Sequence, residues 1–565
     1  MTALLEQVAK SWQALIFDGQ LWDALDLHSF PGLPQEVITR IVQTAGSFIK
    51  SMNLSGHVNL VPETLSGVNN ELCFKNPGSP ISHNQLTSIN LQGCTALTSR
   101  SLHQLLVRSR SLTTLCVKGL SAVTNTTCDI ISNFCHNLIS LNMSRCANMD
   151  AEGIKSLSSS ANLRRVHLQL KELRLSGLKN ITDATMGELG RAAPFLEILD
   201  LGYSRQLHNS ALEAFVACSD TPDADRNSGL DTVVITARDL GREMNDASGK
   251  FLRRRITRLR HLVLSYCTML TDTACSNLAY SVPKLELLEL AGIGPELTDD
   301  GLIRMLQQTP YIRRVDLEDA SDITDAVIRA ITPVPEMELN IAGIVTISRP
   351  KQPGHALQQL NISYAANLSD GALLSLIRNC QYLTVLEADN ARMGKNVLRE
   401  FVKLSRERKA LDARIVAVDC RGINESLVKD LVSTTRTRLG FRHYDARKLN
   451  YLDARDDNED EMKVGQDECD RERVVIKTFY SWQTVDAVKA VRDKRRKAAG
   501  RKAASEGTNA AGSDGEGGVG RNRRRSSSTR WWSPGARRTR ANVQNSGSAS
   551  PIFPELNSAD GCVAM

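Results

Sequence analysis

The chain is 565 residues long, 41% apolar but only 5% aromatic, a balance that suits one small leucine-rich unit repeated many times better than an ordinary enzyme core. Its net charge of +7 is uneven, with acidic residues crowded around 453–461 and basic ones around 492–540, so the excess positive charge belongs to the C-terminal part. Thirteen cysteines without a secretory signal or any C-x-x-C argue for a reducing compartment and against a zinc ribbon or dithiol redox site, and no apolar run approaches the roughly 20 residues of a membrane span.

In chain order, the first expected element is a short helix with an apolar stripe through Leu5, Val8, Trp12 and Leu15, followed by the pair Leu21-Trp22. These residues, with Lys10, resemble the closing half of an F-box, V-x-K/R-x-W-x-x-L…L-W. The opening half, L-P-x-E…I-F-x-x-L, does not precede Leu5. Leu33-Pro34-Gln35-Glu36-Val37-Ile38 mimics that opening, but no tryptophan follows it at the right distance. Residues 1–30 are therefore expected to be a partial F-box, and 31–80 an N-terminal cap with a first repeat. The resemblance implies docking on a Skp-type adaptor through Leu5, Val8, Trp12, Leu15, Leu21 and Trp22, and through it on a cullin.

Self-similarity then takes over. Leu86-x-x-Ile89-x-Leu91, Leu112-x-x-Leu115-x-Val117 and Leu138-x-x-Leu141-x-Met143 start 26 residues apart. The frame is expected again at Leu170, Leu196, Leu230, Leu259, Leu285, Ile312, Leu357, Leu383 and Ile415, with an earlier copy at Ile49. Each copy reads as a short strand with its leucines inward. A hydroxyl residue and an aspartate follow, as in Ile181-Thr182-Asp183, Leu270-Thr271-Asp272, Leu297-Thr298-Asp299, Ile323-Thr324-Asp325 and Leu368-Ser369-Asp370. A hydroxyl N-cap with a carboxylate in the first turn predicts a helix start. No single copy buries both its faces, so the copies must stack. The expected fold is an α/β leucine-rich-repeat solenoid, a right-handed β-α horseshoe of about twelve repeats over 81–437. Cys94, Cys146 and Cys267 recur at one frame position, which resembles the cysteine-containing repeat class common in F-box proteins. They read as small packing residues. The triplets at Asn180 and Asn361 read as repeat consensus and not as glycosylation sites.

The outward strand positions carry Asp200, Glu289, Asp316, Glu318, Glu387 and Asp389 in the later repeats. They predict an acidic inner surface that captures a protein substrate through a basic segment. Prolines 333, 335, 350 and 353 mark an insertion loop.

Beyond about Thr437 the frame is lost. An acidic linker (438–472), a capping helix (473–499) with a stripe through Val475, Phe479, Trp482, Val485 and Val488, and a disordered basic tail (500–565) are expected. The last four residues, Cys562-Val563-Ala564-Met565, match a prenylation box, with Cys562 as the lipidated residue. A prenyl chain holds a membrane only reversibly without a second signal, and the upstream arginines are placed to supply one.

The chain is similar to F-box/leucine-rich-repeat proteins, the substrate receptors of SCF-type cullin ubiquitin ligases. That resemblance implies a non-catalytic adaptor, without cofactor, metal or nucleic-acid partner. It would work in the cytoplasm and partly at a membrane, while the basic clusters are also compatible with nuclear import. A prenylated repeat scaffold without ligase activity is the alternative.

Overall fold

The apolar stretches between turns are too short for free-standing strands, yet stacked in parallel they build one long sheet. The computed structural model describes residues 22–73, 82–218, 231–242, 251–334, 352–432, 435–437 and 474–478, all within one unit, Met1–Lys494. Its strands are β1 Ala24–Asp26, β2 Ser51–Asn53, β3 Ser88–Asn90, β4 Thr114–Cys116, β5 Ser140–Asn142, β6 Glu172–Arg174, β7 Ile198–Asp200, β8 Thr232–Thr236, β9 Phe251–Arg255, β10 His261–Val263, β11 Leu287–Glu289, β12 Arg314–Asp316, β13 Gln359–Asn361, β14 Val385–Glu387, β15 Arg414–Val416, β16 Thr435–Thr437 and β17 Val474–Lys477. Fifteen of them form a single sheet in the order β1 to β7, β10 to β15, β17, β16. Every pairing in it is parallel, as between Leu199 and Leu262 or Leu288 and Val315. The fold is a leucine-rich-repeat solenoid.

Each rung repeats one chemistry. The central strand residue is buried, and so are the apolar residues three before and two after it, as with Leu86, Ile89 and Leu91. At the strand end Asn53, Asn90, Asn142, Asp200, Asp316 and Asn361 each accept the N–H two residues on, at 2.9–3.2 Å. This is an Asx turn, by which a short polar side chain stands in for the next backbone acceptor. The recurrent cysteine is buried, and its thiol donates to a carbonyl of the previous rung, from Cys94 to Leu54 at 3.1 Å, Cys146 to Val117 at 3.3 Å, Cys267 to Leu201 at 3.2 Å and Cys420 to Ala388 at 2.9 Å. Burial pushes the Cys94 and Cys267 thiols up to about 12, so these are packing groups and not nucleophiles.

Behind the sheet, helices start where the tripeptides predict, at Asp183, Asp272, Asp299, Asp325 and Asp370. Strands in a sheet stand about 4.8 Å apart, whereas helices need about 8–10 Å, so the strand-lined face is the inner one. No helix among the described residues is long and apolar enough to cross a membrane.

Four expectations need correction. Leu230 does not open a repeat, because β7 pairs directly with β10 and β8 and β9 form a separate antiparallel hairpin. Glu213 staples that hairpin to the helix Asn209–Val216, bonded to Arg242 at 2.6 Å and to the buried Arg254. Ile415 is the centre of its strand and not its leading residue. Trp22, Leu25 and Leu27 build a repeat strand inside the segment assigned to the partial F-box, with Trp22 packed against the core. The Leu33 stretch, read from the sequence as a mere mimic of the F-box opening, runs into a helix of the repeat region, Gln35–Ala45, and needs no correction. Val474–Lys477, expected to begin a helix, is a strand with Val474 and Ile476 buried, as β-branched runs prefer. The remaining expectations for 438–473 and 479–565 lie outside the described residues.

Candidate protein-binding site on the strand-lined face

Four residues past the central residue of each rung from β2 to β15, the chain turns out of the sheet with a left-handed backbone. Glycine adopts that conformation without strain, and it occupies the position in several rungs, at Gly56, Gly93, Gly119, Gly177 and Gly292. Elsewhere Arg145 (φ 58°), Tyr203 (φ 61°), Tyr266 (φ 60°) and Tyr364 (φ 66°) take the same backbone. Bulky residues are uncommon there, and a left-handed residue costs about 1–2 kcal/mol.

Three of these side chains form a stack along the lip of the sheet. The rings of Tyr203 and Tyr266 are stacked, 4.7 Å between centroids and 16° apart in plane. The Arg145 guanidinium lies 5.6 Å from the centroid of Tyr203, reaching across the rung where Gly177 has no side chain. At the far end the Tyr266 ring covers Gly292, where an added Cβ would stand 2.5 Å from a ring carbon. The rings remain accessible, Tyr203 at 45% and Tyr266 at 38% exposure. Exposed aromatic and arginine side chains on a rigid element are what binding hot spots are made from.

Below this lip is a cavity of about 500 Å³, open on one side. Lys118, Arg145, Arg174 and Arg314 line it, with only Asp200 and Glu289 as carboxylates. Arg174 is bonded to Glu172 at 2.6 Å and Arg314 to Glu289 at 3.3 Å, whereas Lys118 and Arg145 stand in no ion pair among the described residues. Asp200 is part of the lining; burial raises its carboxyl, against the opposing pull of the Gly202 N–H and of Arg174, Lys118 and Arg145. His261, on the first position of β10, is held below its ordinary value by burial, so its ring is neutral at pH 7.

The expected acidic residues are all on this face, but they do not form an open acidic surface. Glu387 is bonded to Arg414 at 2.8 Å. Asp316 is buried and accepts from Asn361 at 3.0 Å. Asp389 accepts the Val418 N–H at 2.8 Å, and burial raises its carboxyl. Glu318 stands near the Asn361 amide, 3.5 Å away. The cause is the residue before each central strand position, where Arg314 and Arg414 sit diagonal to Glu289 and Glu387. The stack itself carries a signal readable in the sequence, a tyrosine or arginine at the rung position that other rungs fill with glycine, asparagine or aspartate. Leu5, Val8, Trp12, Leu15, Leu21 and Cys562 lie outside the described residues.

No model of a known protein family matches the chain. Among solved structures it is similar to a chain of the crystal structure of the Rad7 and Elc1 complex in yeast, at 15% identity and TM-score 0.38 over 75% of this chain and 94% of that one. It is also similar to an internalin, inlF, from Listeria monocytogenes, at 13% identity and TM-score 0.31 over 64% and 80%. Among the described residues no group of three or more His, Cys, Asp or Glu is placed to hold a metal ion.

Proposed function

We propose that this chain is the substrate-recognition subunit of a cullin-type ubiquitin ligase and has no chemistry of its own. The observation that carries the binding part is the Arg145–Tyr203–Tyr266 stack beside an open polar cavity. A partner protein would lie on the strand-lined face, and the solenoid would raise the effective concentration of its lysines near a charged ubiquitin carrier. The ligase part is supported by the sequence resemblance of Val8, Trp12, Leu15 and Leu21 to the closing half of an F-box. A prenyl group on Cys562 would place the assembly at a membrane. A prenylated scaffold that binds the same partners without a ligase is the second reading, favoured by Trp22, which packs against the repeat core beside β1 within the segment that the F-box resemblance covers.

The test is co-purification of a Skp-type adaptor and cullin with the tagged chain, beside the variants Val8→Asp and Trp12→Asp. Adaptor recovered with the wild type and lost in both variants supports the ligase; equal recovery, or none, leaves the scaffold. A photo-crosslinking residue at Tyr203 should capture a partner that one at Leu163, exposed in the helix Ala151–Leu163, does not. Labelling with an alkynyl farnesyl analogue, lost in Cys562→Ser, tests the lipid.

A further inference from the structure

We infer that the cavity beneath the Arg145–Tyr203–Tyr266 stack receives an anionic group, a carboxylate or a phosphoryl, presented by an extended segment of the partner protein. This rests on the reading of the strand-lined face as a protein-binding surface. It also reverses the sign of the partner expected from the sequence, because the acidic residues that suggested a basic segment are already engaged.

Charge favours an anion. Four cations face two carboxylates; with Arg314 paired to Glu289 and Arg174 to Glu172, Lys118 and Arg145 face the single remaining carboxylate, Asp200, which also accepts the Gly202 N–H at 2.9 Å, so the balance stays positive. Lys118 and Arg145 are left as cations over a walled depression, where the low-dielectric surroundings focus their field. A guanidinium suits both ligand sources, since its planar donors match a carboxylate or a phosphate.

Position favours one as well. Arg145 is held in the left-handed region, at a rung where glycine carries no strain, and its guanidinium is pinned against the Tyr203 ring. Strained backbone that the surrounding structure over-determines clusters at binding sites. An arginine fixed in this way loses little freedom when it meets a ligand. The shape suits an extended segment. The lining is polar and the cavity opens along the sheet, unlike the enclosed apolar pockets that hold small molecules. An extended segment can run across the rungs, rest a flat group on Tyr203 and Tyr266, and lower one anionic group between Lys118, Arg145 and Arg174.

The test is fluorescence anisotropy with the full chain and labelled peptides on one Gly/Ser frame. Their centre carries consecutive glutamates, a phosphoserine, consecutive lysines, or serine alone. Either anionic peptide is expected to bind about tenfold tighter than the neutral and lysine peptides, with salt weakening it. Lys118→Glu and Arg145→Glu should each abolish that preference. Both side chains line the open cavity, and unchanged thermal unfolding by circular dichroism would show that the variants fold. A phosphoserine advantage assigns a phosphoryl source, and a glutamate advantage a carboxylate one. Equal binding of all four peptides, a lysine preference, or a preference that survives both charge reversals overturns the inference. Should that happen while Tyr203 still crosslinks a partner, the receptor reading stands and only the anionic ligand is lost.

Discussion

At Tyr203 two opposing terms meet in one side chain, the strain of a left-handed backbone and the gain from stacking on Tyr266. The strain is worth about 1–2 kcal/mol and an aromatic pair about 0.5–1.5 kcal/mol. Tyr203→Gly should therefore change folding stability by less than about 1 kcal/mol in a urea titration, yet weaken partner capture. A large loss of stability would make the ring structural. Asp200 gives a second expectation. Its rung position takes asparagine in β2, β3, β5 and β13 with the same acceptor geometry. Because burial raises the native carboxyl, its charge opposes folding at neutral pH, and that cost is relieved as pH falls through the raised native value. Asp200→Asn should be at least as stable as wild type at pH 7, with the difference closing on acidification. A clear destabilisation at pH 7 would show that the carboxylate is needed by its cationic neighbours.

The helix starts join one repeat to the next. Asp325 accepts the Ser369 N–H at 2.7 Å and its hydroxyl at 2.6 Å, and Asp299 takes the Thr324 N–H at 2.7 Å in the same way. Desolvation works to raise the Asp325 carboxyl, but the bonds from Ser369 hold it below the ordinary range. Its contribution is thus present above the unfolded value of about 3.9 and lost as pH falls through the lower native value. Asp325→Ala should cost about 1 kcal/mol at pH 7 by denaturant midpoint, and less at acid pH. Gly301 shows how close these repeats stand. A Cβ there would overlap the Asp272 carbonyl, so Gly301→Ala should cost about 1–3 kcal/mol. These elements were legible because a hydroxyl and a carboxylate in sequence cap a helix wherever they occur. The hairpin β8–β9 was not, since the alternation of Val233 and Ile235 looks like a repeat strand until pairing partners are known. Trp22 hid the first repeat by standing where leucine is the rule. The charge of the inner face was legible only in part, because it depends on which arginine of one rung lies diagonal to which glutamate of the next.

Along the whole molecule, each rung is covered on both sides, so the ends need separate solutions. At the C-terminal end β17 stands between β15 and β16, with Ile476 paired to Ile415 and buried. A charge there leaves the edge of β15 and its apolar neighbours uncovered. Ile476→Asp should lower stability by about 3 kcal/mol and add larger species in light scattering. A monomeric variant of unchanged midpoint would mean that β15 needs no cover. The same insertion sets an order for events during synthesis. The N-terminal rungs can stack as each emerges from the ribosome, but Ile415 must wait for residues 474–477. In that interval its strand edge is open to any passing chain, and translation speed across 438–473 decides how long the opening lasts.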